Sequence, residues 1–244
     1  KNITYLSLKD NIKTIPLKRP SIALLSTSNS LSLQKALKEL GFPYRELSFE
    51  DVKKGLLNND EYDILIVPPG TSHEIAKGLG EDGGQYIRRF IEKGGGYIGI
   101  CAGAYLILKD STHKVSSLKI LEASTKNKNP WMLGMGIVMV EIEYEHPITF
   151  GFEKEVPVIY INGPIITSTS PNAYLSLSSY KKIPSFKEFI PNIFDKERIH
   201  ELIKGDALIH SSYGNGEVVL FSFHPEIDRL PGTSIKLKNK YIYR

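Results

Sequence analysis

Only one cysteine, Cys101, occurs among the 244 residues. That excludes an intrachain disulfide and any metal centre or cluster built on several thiolates. Long apolar runs are missing too, since none approaches the roughly 18–20 residues of a membrane-spanning helix. Charge of one sign is scarce: 31 Lys and Arg stand against 27 Asp and Glu, a formal net of +4. The lysines are scattered (Lys35, Lys38, Lys53, Lys54, Lys77), apart from Lys236, Lys238, Lys240 and Arg244 at the end. Nucleic-acid binders gather charge into a stripe with interleaved aromatics, so no nucleic-acid partner is expected. The six histidines are dispersed, with no pair at ligand spacing on one helix. No metal and no other cofactor is therefore expected.

The composition that remains is that of a globular chain, with 41% hydrophobic and 24% charged residues. No signal peptide is visible. The chain begins at Lys1 rather than Met, so removal of a start or targeting segment is an open expectation. The shortage of cysteine favours a cytoplasmic, reducing compartment over a processed exported protein. No repeat, low-complexity tract or linker divides the sequence. Residues 1–20 read as an irregular leader, and residues 21–244 as a single domain.

From residue 21 short apolar runs alternate with amphipathic segments. Ile22–Leu25, Tyr44–Leu47, Ile64–Val67 and Tyr97–Ile100 read as strands. Leu33, Ala36, Leu37 and Leu40 recur at helical spacing before Gly41, a helix stop. Asp51 to Leu57 reads as a short helix, and Ile87, Phe90 and Ile91 mark another that ends at Gly94-Gly95-Gly96. Apolar strands alternating with helices predict a mostly parallel sheet covered on both faces. Right-handed crossovers make it doubly wound and flavodoxin-like, with sites beyond the carboxyl ends of the strands. After about residue 110 helices become rare. Strands are expected over 137–144, 156–161, 174–179, 207–212 and 217–223, with one helix near 196–203. Tyr213-Gly214-Asn215-Gly216 reads as a hairpin turn. This half is expected to add antiparallel strands to the same sheet.

The fourth strand runs into Gly99-Ile100-Cys101-Ala102-Gly103 and then into a helical segment. Glycines two before and two after the central residue permit a sharp strand-to-helix turn, the cysteine form of a nucleophile elbow. Such a turn holds the thiol at the sheet edge beside helix amides that favour the thiolate. A buried, inert cysteine is the bland alternative. A nucleophilic thiol needs a base oriented by a third group. His73, His113, His146, His200 and His210 fall in loops, polar stretches, a surface helix or a strand interior. His224 ends the apolar run Val218–Phe223 and opens His224-Pro225-Glu226, which brings it to the edge that carries Cys101. Glu226 can turn its carboxylate toward the imidazole. Gly70, after the third strand, and Ala102 are candidate oxyanion donors through their backbone amides, with an ordinary Pro-Gly turn as the alternative for Gly70.

The Gly99–Gly103 elbow, the Pro69-Gly70 loop and His224-Pro225-Glu226 together resemble the class I glutamine amidotransferase superfamily. The stretch Gly94–Tyr105, with Tyr160-Ile161-Asn162-Gly163-Pro164, is similar to the biotin–protein ligase N-terminal-domain family. The resemblance implies a Cys–His–Glu triad of Cys101, His224 and Glu226 that acts on a small amide or peptide bond. Tyr105 stands where glutaminases of this class carry Gln or Glu, and Thr71 replaces a second oxyanion-loop glycine, so glutamine is not the expected substrate. No ligase half is expected after Glu226. Tyr105 and Asn162 are candidate substrate-pocket contacts, with turn chemistry the equal alternative for Asn162. Trp131 is left without a role. A non-catalytic metabolite-binding or regulatory domain that keeps the pocket is the second reading, with a separate partner chain or a homo-oligomer allowed. A redox or glyoxalase-like cysteine protein ranks third.

Overall fold

The computed structural model describes residues 19–110, 118–125, 134–183, 193–194, 199–203 and 205–229. The expected alternation is present: β1 (Ile22–Leu25), α1 (Leu31–Leu40), β2 (Tyr44–Leu47), α2 (Phe49–Lys53), β3 (Ile64–Val67), α3 (Ser72–Glu92), β4 (Gly96–Ile100) and α4 (Ala102–Ile107). There follow β5 (Leu108–Asp110), β6 (Leu121–Thr125), β7 (Gly134–Ile142), β8 (Glu155–Ile161), β9 (Ile166–Ser168), β10 (Leu175–Lys182), β11 (Ile193–Phe194), α5 (Ile199–Leu202), β12 (Asp206–Tyr213) and β13 (Gly216–Phe221).

The main path of the sheet runs β11-β7-β10-β12-β13-β4-β3-β1-β2. From β13 to β2 every pairing is parallel; β12, β10 and β7 extend the sheet antiparallel, and β8 pairs with β7. The doubly wound sheet with an antiparallel half is thus as the sequence implied. Apolar residues dominate β1 and β3 because both faces are covered. Helix α1 buries one stripe, Leu33, Ala36 and Leu37, whereas every residue of α4 is buried.

Several strand ends shift by one to three residues from the sequence reading, and three helices are bounded differently. Helix α2 starts at Phe49 rather than Asp51, because Ser48 and Asp51 form a capping box: the Asp51 N–H donates to Ser48 Oγ and the Ser48 N–H to the Asp51 carboxylate. Helix α3 begins at Ser72, well before Ile87, and bends at Gly80. The expected 196–203 helix is described only as Ile199–Leu202, with 196–198 outside the described residues. Strands β5, β6 and β9 were not anticipated: each is short, and their pairings with one another and with β12 are not encoded in local periodicity. His113 and Trp131 lie outside the described residues.

The registers fix where the loops emerge. Val67 pairs with Gly99, and Ile100 with Phe221. The carboxyl ends of β3, β4 and β13 therefore lie side by side. The segments that leave them carry Gly70, Cys101 and His224.

Candidate active site

Cys101 has φ 50 and ψ −98, a sparsely populated conformation that costs about 1–3 kcal/mol and persists only where surroundings impose it. Here the backbone imposes it. A Cβ on Gly99 would sit 2.7 Å from the Gly103 carbonyl oxygen, and one on Gly103 would sit 2.4 Å from that of Val67. The strand and helix arms of the elbow thus pass so closely that neither position admits a side chain. The Cys101 N–H donates to Phe221 O at 2.8 Å, and Cys101 O accepts from Ala104 N and Tyr105 N. Strand β13 therefore holds the elbow directly.

The same strand delivers His224. Its N–H donates to Ile159 O at 2.8 Å, a bridge that lays residues 222–224 against β8. The imidazole Nδ1 lies 2.8 Å from Glu226 Oε1, and both side chains are buried. Burial pulls the imidazole toward the neutral form, but the Glu226 carboxylate and the Cys101 sulfur outweigh it and hold His224 well above the usual histidine value. Nδ1–H then donates to Glu226. The Cys101 sulfur is close enough to act on the ring's charge, yet no hydrogen bond of good geometry joins it to Nε2. Among the described residues His224 Nε2 and Glu226 Oε2 are buried without a hydrogen-bond partner. The thiol donates instead to Ile161 O at 3.5 Å.

Gly70 lies three residues beyond Val67, on the loop into α3, with φ 149 in the region that favours glycine. The Asn29 carboxamide fills the space a Cβ would take there, with Nδ2 2.9 Å from that position. Ala102 is the first residue of α4, so its N–H has no partner one turn back.

Tyr105 is buried, and its hydroxyl donates to Asn162 O at 3.2 Å. Asn162 has φ 49; its Oδ1 accepts from the Gly134 N–H at 2.8 Å and its own N–H donates to Gly134 O. The two residues meet each other, and the Asn162 Oδ1 is engaged in closing the turn after β8. His73 lies in α3, His200 is exposed on α5, and the rings of His146 and His210 lie 5.0 Å apart, tilted by 48°, with His210 paired to Glu217. None of these is brought to Cys101 by any described contact.

The sequence reading singled out Tyr160–Pro164 at the carboxyl end of β8, but not the backbone contacts this segment makes. Ile161 O receives the thiol, Ile159 O receives His224, and Gly163 packs against Ser222 so tightly that a Cβ would lie 1.7 Å from its carbonyl oxygen. Behind it the buried Tyr180 hydroxyl donates to Ser222 Oγ at 2.7 Å, and Ser222 donates to Pro164 O. Burial pushes the Tyr180 phenol upward, against the opposing pull of its hydrogen bond to Ser222. The available signal was the Asn-Gly-Pro tripeptide, whose turn geometry carries these contacts.

The topology is that of solved glutamine amidotransferases. A solved glutamine amidotransferase structure aligns with 84% of this chain and 90% of its own, at 22% identity and a TM-score of 0.58. A glutamine amidotransferase from Thermotoga maritima aligns over 86% of this chain and 77% of its own, at 16% identity and 0.53. The fold serves other proteins as well: a β-galactosidase from Bacillus circulans sp. alkalophilus contains it in 28% of its length, against 84% of this chain, at 10% identity and 0.51. No curated protein matches the chain. Residues 32–127 match the family described as biotin-protein ligase, N terminal, a span that includes the elbow. The fold is thus glutamine amidotransferase-like, and residues 32–127 are similar to the biotin-protein ligase N-terminal family. Among the described residues no helix is long and apolar enough to cross a membrane, and no group of three or more His, Cys, Asp and Glu could hold a metal.

Proposed function

We propose that the chain is a cysteine-nucleophile hydrolase or transferase acting on a small amide or peptide bond. The observation that carries this reading is the His224–Glu226 pair, buried at 2.8 Å beside a cysteine in a strained elbow. In the reaction the Cys101 thiolate attacks the carbonyl carbon, and the carbonyl electron pair moves onto oxygen. The N–H groups of Gly70 and Ala102 receive that oxyanion. As the tetrahedral species collapses, the C–N bond breaks and His224 Nε2–H protonates the departing amine. His224, now neutral at Nε2, takes a proton from water as it attacks the thioester. The C–S bond breaks as the second tetrahedral species collapses, which releases the acid and restores the thiolate beside protonated His224. Glu226 keeps Nδ1 protonated and the ring in place throughout.

Glutamine is disfavoured as substrate, because Tyr105 occupies the helix position four residues after the cysteine and its hydroxyl is already bonded to Asn162 O. Biotin transfer is not assigned to this chain. The test is mass spectrometry of the protein after exposure to a panel of small amides and peptides, glutamine included. An acyl adduct on Cys101, absent from Cys101→Ser, with release of the amine supports the reading. No adduct and no amine release from any member sinks it.

A second reading is a binding or regulatory domain that retains the pocket. It is favoured by the thiol donating to Ile161 O rather than to His224. A metabolite bound equally by the natural protein and Cys101→Ser, without turnover, would select it.

A further inference from the structure

We propose that Tyr97 is a positioning residue that fixes the elbow cysteine relative to the strand that leads to His224, an inference that rests on the reading of Cys101 as a nucleophile. Tyr97 stands on β4, paired with Leu65 of β3 and Val218 of β13, and it is fully buried. A phenylalanine would fill the same space without burying a hydroxyl, so packing alone does not account for the oxygen. A buried hydroxyl is costly unless it is bonded. This one donates to Gly103 O at 2.7 Å.

That carbonyl is the point where the two arms of the elbow meet. It is the same oxygen that leaves no room for a side chain on Gly99, and the Tyr97 ring edge lies at the same 2.7 Å from that missing Cβ. The hydroxyl therefore ties the strand before Cys101 to the helix after it, across six residues, with the strained cysteine at the apex. From the other side Phe221 O holds the Cys101 N–H. With both ties, the thiol direction is set relative to the strand that continues to His224. With the Tyr97 tie cut, only close packing and the Phe221 bond oppose relaxation of the elbow toward ordinary dihedrals, which would carry the sulfur with it.

The test is Tyr97→Phe, read by the rate of Cys101 alkylation with iodoacetamide across pH, with Tyr174→Phe as a control. Tyr174 also donates a hydroxyl hydrogen bond, to Asp206, away from the elbow. The expected result is a cooperative melt close to that of the control, with alkylation about 3- to 10-fold slower, the effect of one net hydrogen bond on a poised geometry. The acid side of its pH profile should move toward that of His224→Gln. Hydrogen exchange should rise at the Ala104 and Tyr105 amides, which bond to Cys101 O, and stay unchanged in β1 and β3. Placing 4-aminophenylalanine at position 97, which restores an N–H donor, should recover the rate. A Tyr97→Phe protein with the natural rate and profile would overturn the proposal. So would one that fails to fold, because the hydroxyl would then support the whole core. If the natural protein itself shows no His224-dependent alkylation, the nucleophile reading fails instead, so the two failures are told apart.

Discussion

Replacing Gly163 by alanine puts a methyl carbon 1.7 Å from the Ser222 carbonyl oxygen and 3.1 Å from its hydroxyl. Restoring even a 3.0 Å separation from that carbonyl takes about 1.3 Å of movement. The obstacle is backbone, so no rotamer change relieves it. Gly163 is also fixed on its own side, because its carbonyl accepts from the buried Tyr160 hydroxyl at 2.8 Å. Overpacking costs about 1–3 kcal/mol, and a clash held from both sides belongs at the upper end. For a chain of this size each kcal/mol moves Tm by about 2–4 °C, so a fall of about 6–12 °C is expected. Gly151→Ala separates crowding from backbone strain. That position has φ +80 with nothing within 4 Å, so only the left-handed conformation is penalised, at about 1 kcal/mol and about 2–4 °C. The functional effect should separate further. Ser222 lies two residues before His224, so Gly163→Ala should also slow Cys101 alkylation, and Gly151→Ala should not. Thermal melts and alkylation rates of the two variants make the measurement. A Gly163→Ala protein that melts within about 2 °C of the natural one would refute the contact between β8 and the histidine strand.

Two further outcomes follow from the same geometry. Tyr180→Phe removes the donor to Ser222 Oγ and should lower stability by about 0.5–1.5 kcal/mol, seen in urea midpoints at unchanged slope. A larger loss would mean that the Tyr180–Ser222–Pro164 chain acts as one unit. Glu226→Gln removes a carboxylate that helps hold His224 above its ordinary range, so the NMR titration of His224 should move to lower pH. The raised value means the fold binds the His224 proton more tightly than the unfolded chain does. The stability it adds is complete below about pH 6.5 and fades as pH rises through the folded-state value, and this dependence should flatten in Glu226→Gln.

Much of the site was legible because its signals are local. The elbow is written in Gly99, Cys101 and Gly103, where close backbone approach allows only glycine on either side. His224 and Glu226 are two residues apart, so their pairing needed no knowledge of the fold. The parallel half was legible for a related reason: apolar runs such as Ile64–Val67 mark strands buried on both faces. What stayed hidden depends on long-range pairing. Ile161 contributes a carbonyl rather than a side chain, and its part is set by β8 lying beside residues 222–224. Tyr97 and Tyr180 look like ordinary core aromatics until their hydroxyl partners are placed. Tyr105 and Asn162 were singled out together and do meet, though their observed contact is with each other.

The most direct measurement of Cys101 as an activated nucleophile is its alkylation by iodoacetamide near pH 6.5, compared with a free thiol and with His224→Gln, a variant that keeps most of the ring's volume. At that pH only about 1% of an ordinary thiol is thiolate, which leaves room for a large difference. The expected result is alkylation at least about tenfold faster than the free thiol, with that advantage lost in His224→Gln. A rate no faster than the free thiol's, and indifferent to His224→Gln, would contradict it.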